Sequence, residues 1–356
     1  MTESPYSSEG VKAPGDIPGF KALLQALQPS FGYAGAASRP VIDFGYYANV
    51  IPITSEMGVA ISTDGVGTKI LVAQALGKYD TVGIDCVAMN ANDIICVGAR
   101  PLAMVDYIAL ESADDHLLAE LGKGLARGAE LASISIPGGE LAQVRDMVKG
   151  EHPGTGFDLV GTCIGSVRLD EVLTGKALQP GDLLVGLASS GVHSNGLTLA
   201  RRVLDNLNEY VPEFGRTAGE ELLEPTTIYV SAAMAVLEAG IRPRAMAHLT
   251  GDGYLNLSRC EADVSFVLDS LPEPPPVFQL IKSRGEVTIA EMYRVFNMGI
   301  GFVIAVAPAD VDSTLKVVAA KGYRPSVIGH VVAGEAKSVT LTQPGLVGQG
   351  AEFHPT

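Results

Sequence analysis

The chain has 356 residues, of which 47% are apolar and 18% charged. That apolar share supplies a packed core and excludes a mainly disordered chain, and the length suggests two domains of ordinary size. Acidic residues exceed basic ones by 40 − 25 = 15, which excludes a nucleic-acid coat; an anionic ligand must be met by backbone N–H groups, helix starts, a few cations or a bridging metal.

In chain order, the opening segment is rich in Gly, Pro and Ser and predicts an irregular arm with one short helix at 20–27. VAIST (59–63) predicts a strand and KILVAQALG (69–77) a short helix. TVGIDCVAMNANDIICVGA (81–99) predicts a buried helix, apolar nearly all round and stopped by Gly98 and Pro101. Then come a strand at 102–110, a helix at 114–132, an extended stretch at 133–136 and a strand at 157–167. LQPGD (178–182) is a turn placed to join two domains. Beyond it follow strand 183–188, helices 197–207, 227–238 and 288–296, strand 299–307, helix 311–320 and strand 326–332. Strands interleaved with helices in both halves predict an α/β or α+β protein. The four cysteines form no CxxC pair and read as buried apolar groups of a reducing compartment. With no secretory leader and no membrane-length apolar run, the protein is expected to be soluble and cytoplasmic, with no membrane partner.

Six segments carry candidate chemistry. In TDGVGTK, residues Asp64, Gly65, Gly67, Thr68 and Lys69 lie between a strand and a helix. Glycines there admit a ligand to the backbone, N–H groups at the helix start hold phosphate, and a carboxylate suits a hard cation; an ordinary capped turn explains the same residues. Asn92 and Asp93, with Asp85 on the same face, put polar groups on a buried helix, where a metal, a nucleotide or neighbouring backbone supplies their partners. Asp106 shares a strand face with Leu102, Met104, Ile108 and Leu110, and a carboxylate there needs either a site or a structural ion pair. PGGE (137–140) reads as a turn, with Gly139 and Glu140 able to bring an acid to a ligand. SSGVHSNG supplies Ser190, Gly191, His193, Ser194 and Asn195 before a helix, a composition suited to a phosphate or a polar small molecule. AHLTGDG, with His248, Thr250, Gly251 and Gly253, has the same character.

TDGVGTK, GIDCVAMNANDIICVGARPLAMVDYIAL, PGGE, SSGVHSNG, EPTTIYV, AHLTGDG and MYRVFNMGIGF stand in the order found in the aminoimidazole ribonucleotide synthetases, or phosphoribosylformylglycinamidine cyclo-ligases, which the chain resembles over residues 59–332. The resemblance implies an arm at 1–56 that helps cover ATP, an N-terminal half-barrel α/β domain at 57–170 that binds ATP and pairs with a second copy, a C-terminal α/β domain with a mixed sheet at 171–345, and a tail at 346–356. It implies ATP-dependent cyclisation of formylglycinamidine ribonucleotide to aminoimidazole ribonucleotide through a phosphorylated imidate, in purine biosynthesis. ATP would fall to Asp64, Gly65, Gly67, Thr68, Lys69, Asn92, Asp93, Asp106, Gly139 and Glu140, with Mg²⁺ on Asp64 and Asp93. The ribonucleotide would fall to Ser190, Gly191, His193, Ser194, Asn195, Thr250, Gly251 and Gly253, and catalysis to His193, His248 and Lys69. A sister kinase or amide-activating synthetase, or a non-catalytic paralogue, would share the ATP elements; the two histidine loops favour the cyclo-ligases. Four places depart from the family pattern: Leu141 follows GGE in place of Thr, Asp252 replaces a Gly, residues 43–46 match poorly the glycine-rich segment that helps cover ATP, and the loop 143–156 is unlike the common form.

Overall fold

Each half of the chain is organised by one sheet in the computed structural model, which describes residues 17–356 apart from 34, 36–38 and 335. The start of the expected arm, residues 1–16, lies outside the described residues. The N-terminal half runs α1 (Pro18–Leu27), β1 (Asn49–Pro52), β2 (Met57–Gly65), α2 (Lys69–Leu76), α3 (Val82–Cys96), β3 (Arg100–Leu110), α4 (Asp115–Ala132), β4 (Ser135–Gln143) and β5 (Phe157–Arg168). Its five strands are ordered β1-β2-β5-β3-β4 and are antiparallel except for β3 and β4. The inner face carries α3, with α4 behind it. The two helices cross closely because Gly83 lies at the contact; a Cβ there would fall 2.3 Å from Leu125 N. α4 starts where the Asp114 carboxylate accepts from Leu117 N at 2.7 Å, as an N-cap should.

The C-terminal half runs β6 (Leu183–Ala188), α5 (Leu197–Val203), β7 (Tyr210–Val211), β8 (Arg216–Thr217), α6 (Ala218–Leu222), α7 (Val230–Glu238), β9 (Ala245–His248), β10 (Val264–Leu268), α8 (Pro276–Arg284), α9 (Ile289–Val295), β11 (Ile300–Val306), α10 (Val311–Ala320), β12 (Pro325–Ala333), β13 (Val339–Leu341), β14 (Leu346–Gln349) and β15 (Glu352–Pro355). Eight of these strands form a mixed sheet, β15-β14-β13-β10-β12-β6-β11-β9, in which only β10 and β13 run parallel. β11 is buried along its whole length, which is why GIGFVIAV lacks alternation. The protein is thus mixed α/β, as expected.

Three local expectations change. PGGE is not a turn: it continues β4, held by parallel pairing to β3. Leu102 does not share the face of Met104, because the β3–β5 register shifts between Pro101 and Ala103 and turns Leu102 outward. Residues 346–356 are not a loose tail; β14 and β15 extend the second sheet. No helix among the described residues is long and apolar enough to cross a membrane.

Candidate active site

The polar run on α3 meets the end of β2 first. Asn90 pairs with the backbone of Asp64, accepting from its N at 3.0 Å and donating to its O at 3.1 Å. This fixes the carboxylate at the strand end, where Asp64 Oδ1 accepts from Gly65 N at 2.8 Å. One row across the sheet then reads Asp64, Gly161, Asp106, Gly139, on neighbouring strands and on the face toward α3. Gly161 is required there, since a Cβ would sit 2.7 Å from Asn90 Nδ2; at Gly139 it would sit 2.4 Å from Asp106 Oδ1. Strand alternation sends Glu140 to the opposite, exposed face, so the structure separates it from the Asp64–Asp106 row.

Burial, and then the charge of Asp93, push the Asp64 carboxyl up to about 6. Burial also raises Asp106. Asp93 is in turn tied across the halves, its Oδ1 3.0 Å from His248 Nδ1. Asn92 accepts from Tyr229 N at 2.8 Å and donates to Thr227 O at 2.9 Å, with its Nδ2 3.4 Å from His248 Nε2. With Nε2 facing an amide donor, the His248 proton belongs on Nδ1, pointing at Asp93.

His193 has the opposite arrangement. Its Nε2 accepts from two backbone groups, Ser190 N at 3.2 Å and Thr227 N at 3.4 Å, which places its proton on Nδ1. That nitrogen is buried and has no partner among the described residues. Burial, then the nearby His248 and Lys69, hold the imidazole well below its ordinary range, so it is neutral. The backbone of His193 is left-handed at φ 63°. Asn297 braces the loop, donating to Gly191 O at 2.8 Å and accepting from Ser189 Oγ at 2.8 Å. Ser190 Oγ donates to Pro225 O at 2.6 Å.

The two histidine loops come close: a Cβ at Gly251 would stand 3.4 Å from Asn195 Oδ1. Thr250 N donates to Asn256 Oδ1 at 2.8 Å. Gly253 has φ 54°, and a Cβ there would fall 2.1 Å from Tyr293 O. Asp252, where the family pattern has Gly, pairs with Arg259 at 2.6 Å, and that guanidinium lies 5.1 Å from the centre of the Tyr47 ring. Thr68, ahead of α2, reaches Thr198 of α5 at 3.2 Å, just past Gly67.

Lys69 lies elsewhere than expected. Its ammonium is fully buried, 2.9 Å from Asp85 Oδ1 and 2.6 Å from Glu224 O, so it does not line an open phosphate cradle. Asn90 belongs to the polar run that the sequence marks on the buried helix as needing a ligand or neighbouring backbone, and the Asp64 backbone is what it meets. Sequence reading missed Asn297 as a support; its one signal is its place in FNMGIG, shortly before a strand.

Two family models match the chain: AIR synthase related protein, N-terminal domain, over residues 45–167, and AIR synthase related protein, C-terminal domain, over 179–342. The phosphoribosylformylglycinamidine cyclo-ligase of Methanothermobacter thermautotrophicus is 45% identical over 331 residues, covering 92% of this chain and 94% of that protein. That of Methanocaldococcus jannaschii is 43% identical, covering 92% of each. Among solved structures, thiamine-monophosphate kinase from Stenotrophomonas maltophilia shares the fold at TM-score 0.60 and 17% identity, covering 90% of this chain and 95% of its own. AaThiL complexed with AMPPCP and TMP does so at TM-score 0.63 and 14% identity, covering 96% and 98%. With both halves matched and identity above 40% along nearly the full length, the chain belongs to the AIR synthase related family, with the phosphoribosylformylglycinamidine cyclo-ligases.

Proposed function

We propose that the junction of the two halves closes the imidazole ring of aminoimidazole ribonucleotide from formylglycinamidine ribonucleotide and ATP, releasing ADP and phosphate. The observation that carries this reading is the continuous chain of bonds from Asp93 through His248 and Asn92 to Thr227 and His193, which couples the acidic end of the first half to an imidazole loop. The formyl oxygen attacks the γ-phosphorus, the bond to ADP breaks, the amide nitrogen gives up its proton, and an O-phosphorylated imidate results. An internal nitrogen then forms the C–N bond at the activated carbon, the C–O bond to phosphate breaks, and a proton leaves the nitrogen. Such chemistry needs positioning and charge neutralisation more than covalent catalysis.

Asp64 and Asp93 suit Mg²⁺. Among the described residues no group of three His, Cys, Asp or Glu side chains forms a cage of its own. Two carboxylates, the charge of Asp93 opposing the ionisation of Asp64, completed by phosphate oxygens and water, match the usual way magnesium is held. The ion would offset phosphate charge. Around it, Gly65, Gly67 and Thr68 offer backbone to the phosphates, while Asp106 and Gly139 close the same row of the sheet. Ser190, Ser194, Asn195, Thr250, Gly251 and Gly253 would line the ribonucleotide side. His193, neutral and with a free Nδ1–H, is suited to donate a hydrogen bond to a substrate oxygen, and His248 to orient Asp93.

The enzyme would act as a homodimer in the cytoplasm. Ile61, Leu102, Val105, Tyr107 and Ile164 form an exposed apolar face on the outer side of the first sheet, where Glu140 also lies, and a second copy would cover it. All four cysteines are free and buried, in keeping with a reducing compartment. Incubation with formylglycinamidine ribonucleotide, ATP and Mg²⁺ should give the cyclised product by mass spectrometry. ATP consumption without that product would favour a sister kinase. Sedimentation should give about twice 37.1 kDa.

A further inference from the structure

We infer that the buried Lys69–Asp85 pair is the positioning device of the His193 loop, holding residues of the C-terminal half from within the N-terminal half. Asp85 lies in the first turn of α3, and its side chain and that of Lys69 are both 0% exposed. One carboxylate oxygen, Oδ1, takes four donors: Lys69 Nζ at 2.9 Å, Thr226 N at 2.7 Å, Thr226 Oγ1 at 2.6 Å and Ser194 Oγ at 3.0 Å. Lys69 Nζ adds a bond to Glu224 O at 2.6 Å. The pair thereby grips residues 194, 224 and 226 at once.

These residues are the immediate supports of the imidazole. Ser194 is its chain neighbour. Thr227, next after Thr226, donates its N–H to His193 Nε2, and Ser190, the other N–H donor, is hooked to Pro225 O. Segment 224–227 and loop 190–194 are therefore stitched together at three successive points and clamped from below by one ion pair. The clamp has a task, because His193 sits in a left-handed conformation that non-glycine residues adopt only when their surroundings impose it. A charged carboxylate is the group that takes four donors on one atom at short range, and its cation keeps the buried charge balanced. Burial outweighs the attraction of Asp85 and lowers Lys69.

The test rests on the cyclo-ligase reading for its kinetic arm but not for its spectroscopic arm. Asp85→Asn keeps an Oδ1 acceptor and places the amide nitrogen where Oδ2 has no partner among the described residues. It should lower kcat by roughly 10²-fold, the scale expected for misplacing a catalytic group by about an ångström, with KM for ATP changed less than about threefold. The double variant Asp85→Asn with Lys69→Met restores neutrality and should recover at least about tenfold of that loss. Thr226→Val removes one donor without touching either charge and gives a folded comparison. ¹⁵N spectra of the His193 ring should show the Nδ1–H tautomer in the wild type and a mixture in Asp85→Asn, whether or not product forms. An unchanged ring spectrum and kcat in folded Asp85→Asn and Thr226→Val would overturn the inference. So would a loss confined to KM for ATP, which would return Lys69 to the nucleotide. If the wild type makes no product while the ring spectrum shifts as stated, the reaction is wrong and the clamp stands.

Discussion

Loops 189–196 and 247–253 look alike as sequence, each with one histidine among glycines and hydroxyls, yet the protein gives them opposite settings. His248 faces a carboxylate from the other half, with Asp93 at 3.0 Å from its Nδ1. His193 has no carboxylate partner among the described residues; two backbone N–H groups occupy its Nε2, and burial keeps it neutral. An imidazole's role is set by what the fold brings to each ring nitrogen: a carboxylate from the other half for His248, and backbone of its own half for His193. Composition placed both rings in polar loops; α3 then set the Asp93 carboxylate against His248, while backbone of its own half left His193 a neutral donor.

The strongest way to break this contrast is to delete the carboxylate. Asp93→Ala should reduce product formation by roughly 10³-fold or more, since it removes both a cation ligand and the partner of His248. Near wild-type turnover in a folded Asp93→Ala protein would contradict the acidic pocket outright. On the neutral side, His193→Ala should slow product formation by roughly 10²-fold with ATP binding near normal. His193→Gln should recover most of that, because an amide oxygen can accept the same two N–H groups. If Gln is as impaired as Ala, the ring transfers a proton and is not a fixed donor.

A pH experiment sharpens the acidic side. Asp64 is raised from 3.8 to about 6 in the folded protein, so between those values the folded state holds a proton that the unfolded chain has lost. Without divalent cation, stability should therefore fall as pH rises from about 4 to about 6, and the full penalty, on the order of 3 kcal/mol, should remain above it. Thermal melts should show Asp64→Asn more stable than wild type at pH 7 and flatter across that range. Equal slopes for the two proteins would refute the opposed-acid description. The smallest expected effect is at the rim of the His248 loop. Asp252→Gly loses a partly exposed ion pair with Arg259 and should cost at most about 1 kcal/mol, read as a small drop in Tm with kcat unchanged.

The long elements were legible because their pattern is local. KILVAQAL and the buried α3 announce themselves as apolar runs stopped by Gly77 and Gly98, and α4 by its amphipathic spacing and the Asp114 cap. Short strands did not: Ala245–His248, Val339–Leu341 and Glu352–Pro355 hold only three or four residues each, and their stability comes from partners far along the chain. PGGE read as a turn because Pro and Gly usually break strands. In the fold Gly139 is in the strand because the Asp106 side chain occupies the space a Cβ would take.

The sequence by itself determined which residue types gather in which loops: acids and glycines after β2, an Asn-Asp run on a buried helix, and two histidine loops in the second half. Spacing along α3 also determined that Asp85 and Asn92 share a face, because seven residues make nearly two turns. Tertiary structure alone decided what those faces meet. Lys69 looked like a phosphate ligand from its place after two glycines, and only the docking of segment 224–226 onto α3 turned its ammonium inward. The reason is physical: a charge at a domain junction is committed by the buried acceptors within a hydrogen bond of it, here the Asp85 carboxylate 16 residues away in sequence and the Glu224 backbone carbonyl 155 residues away.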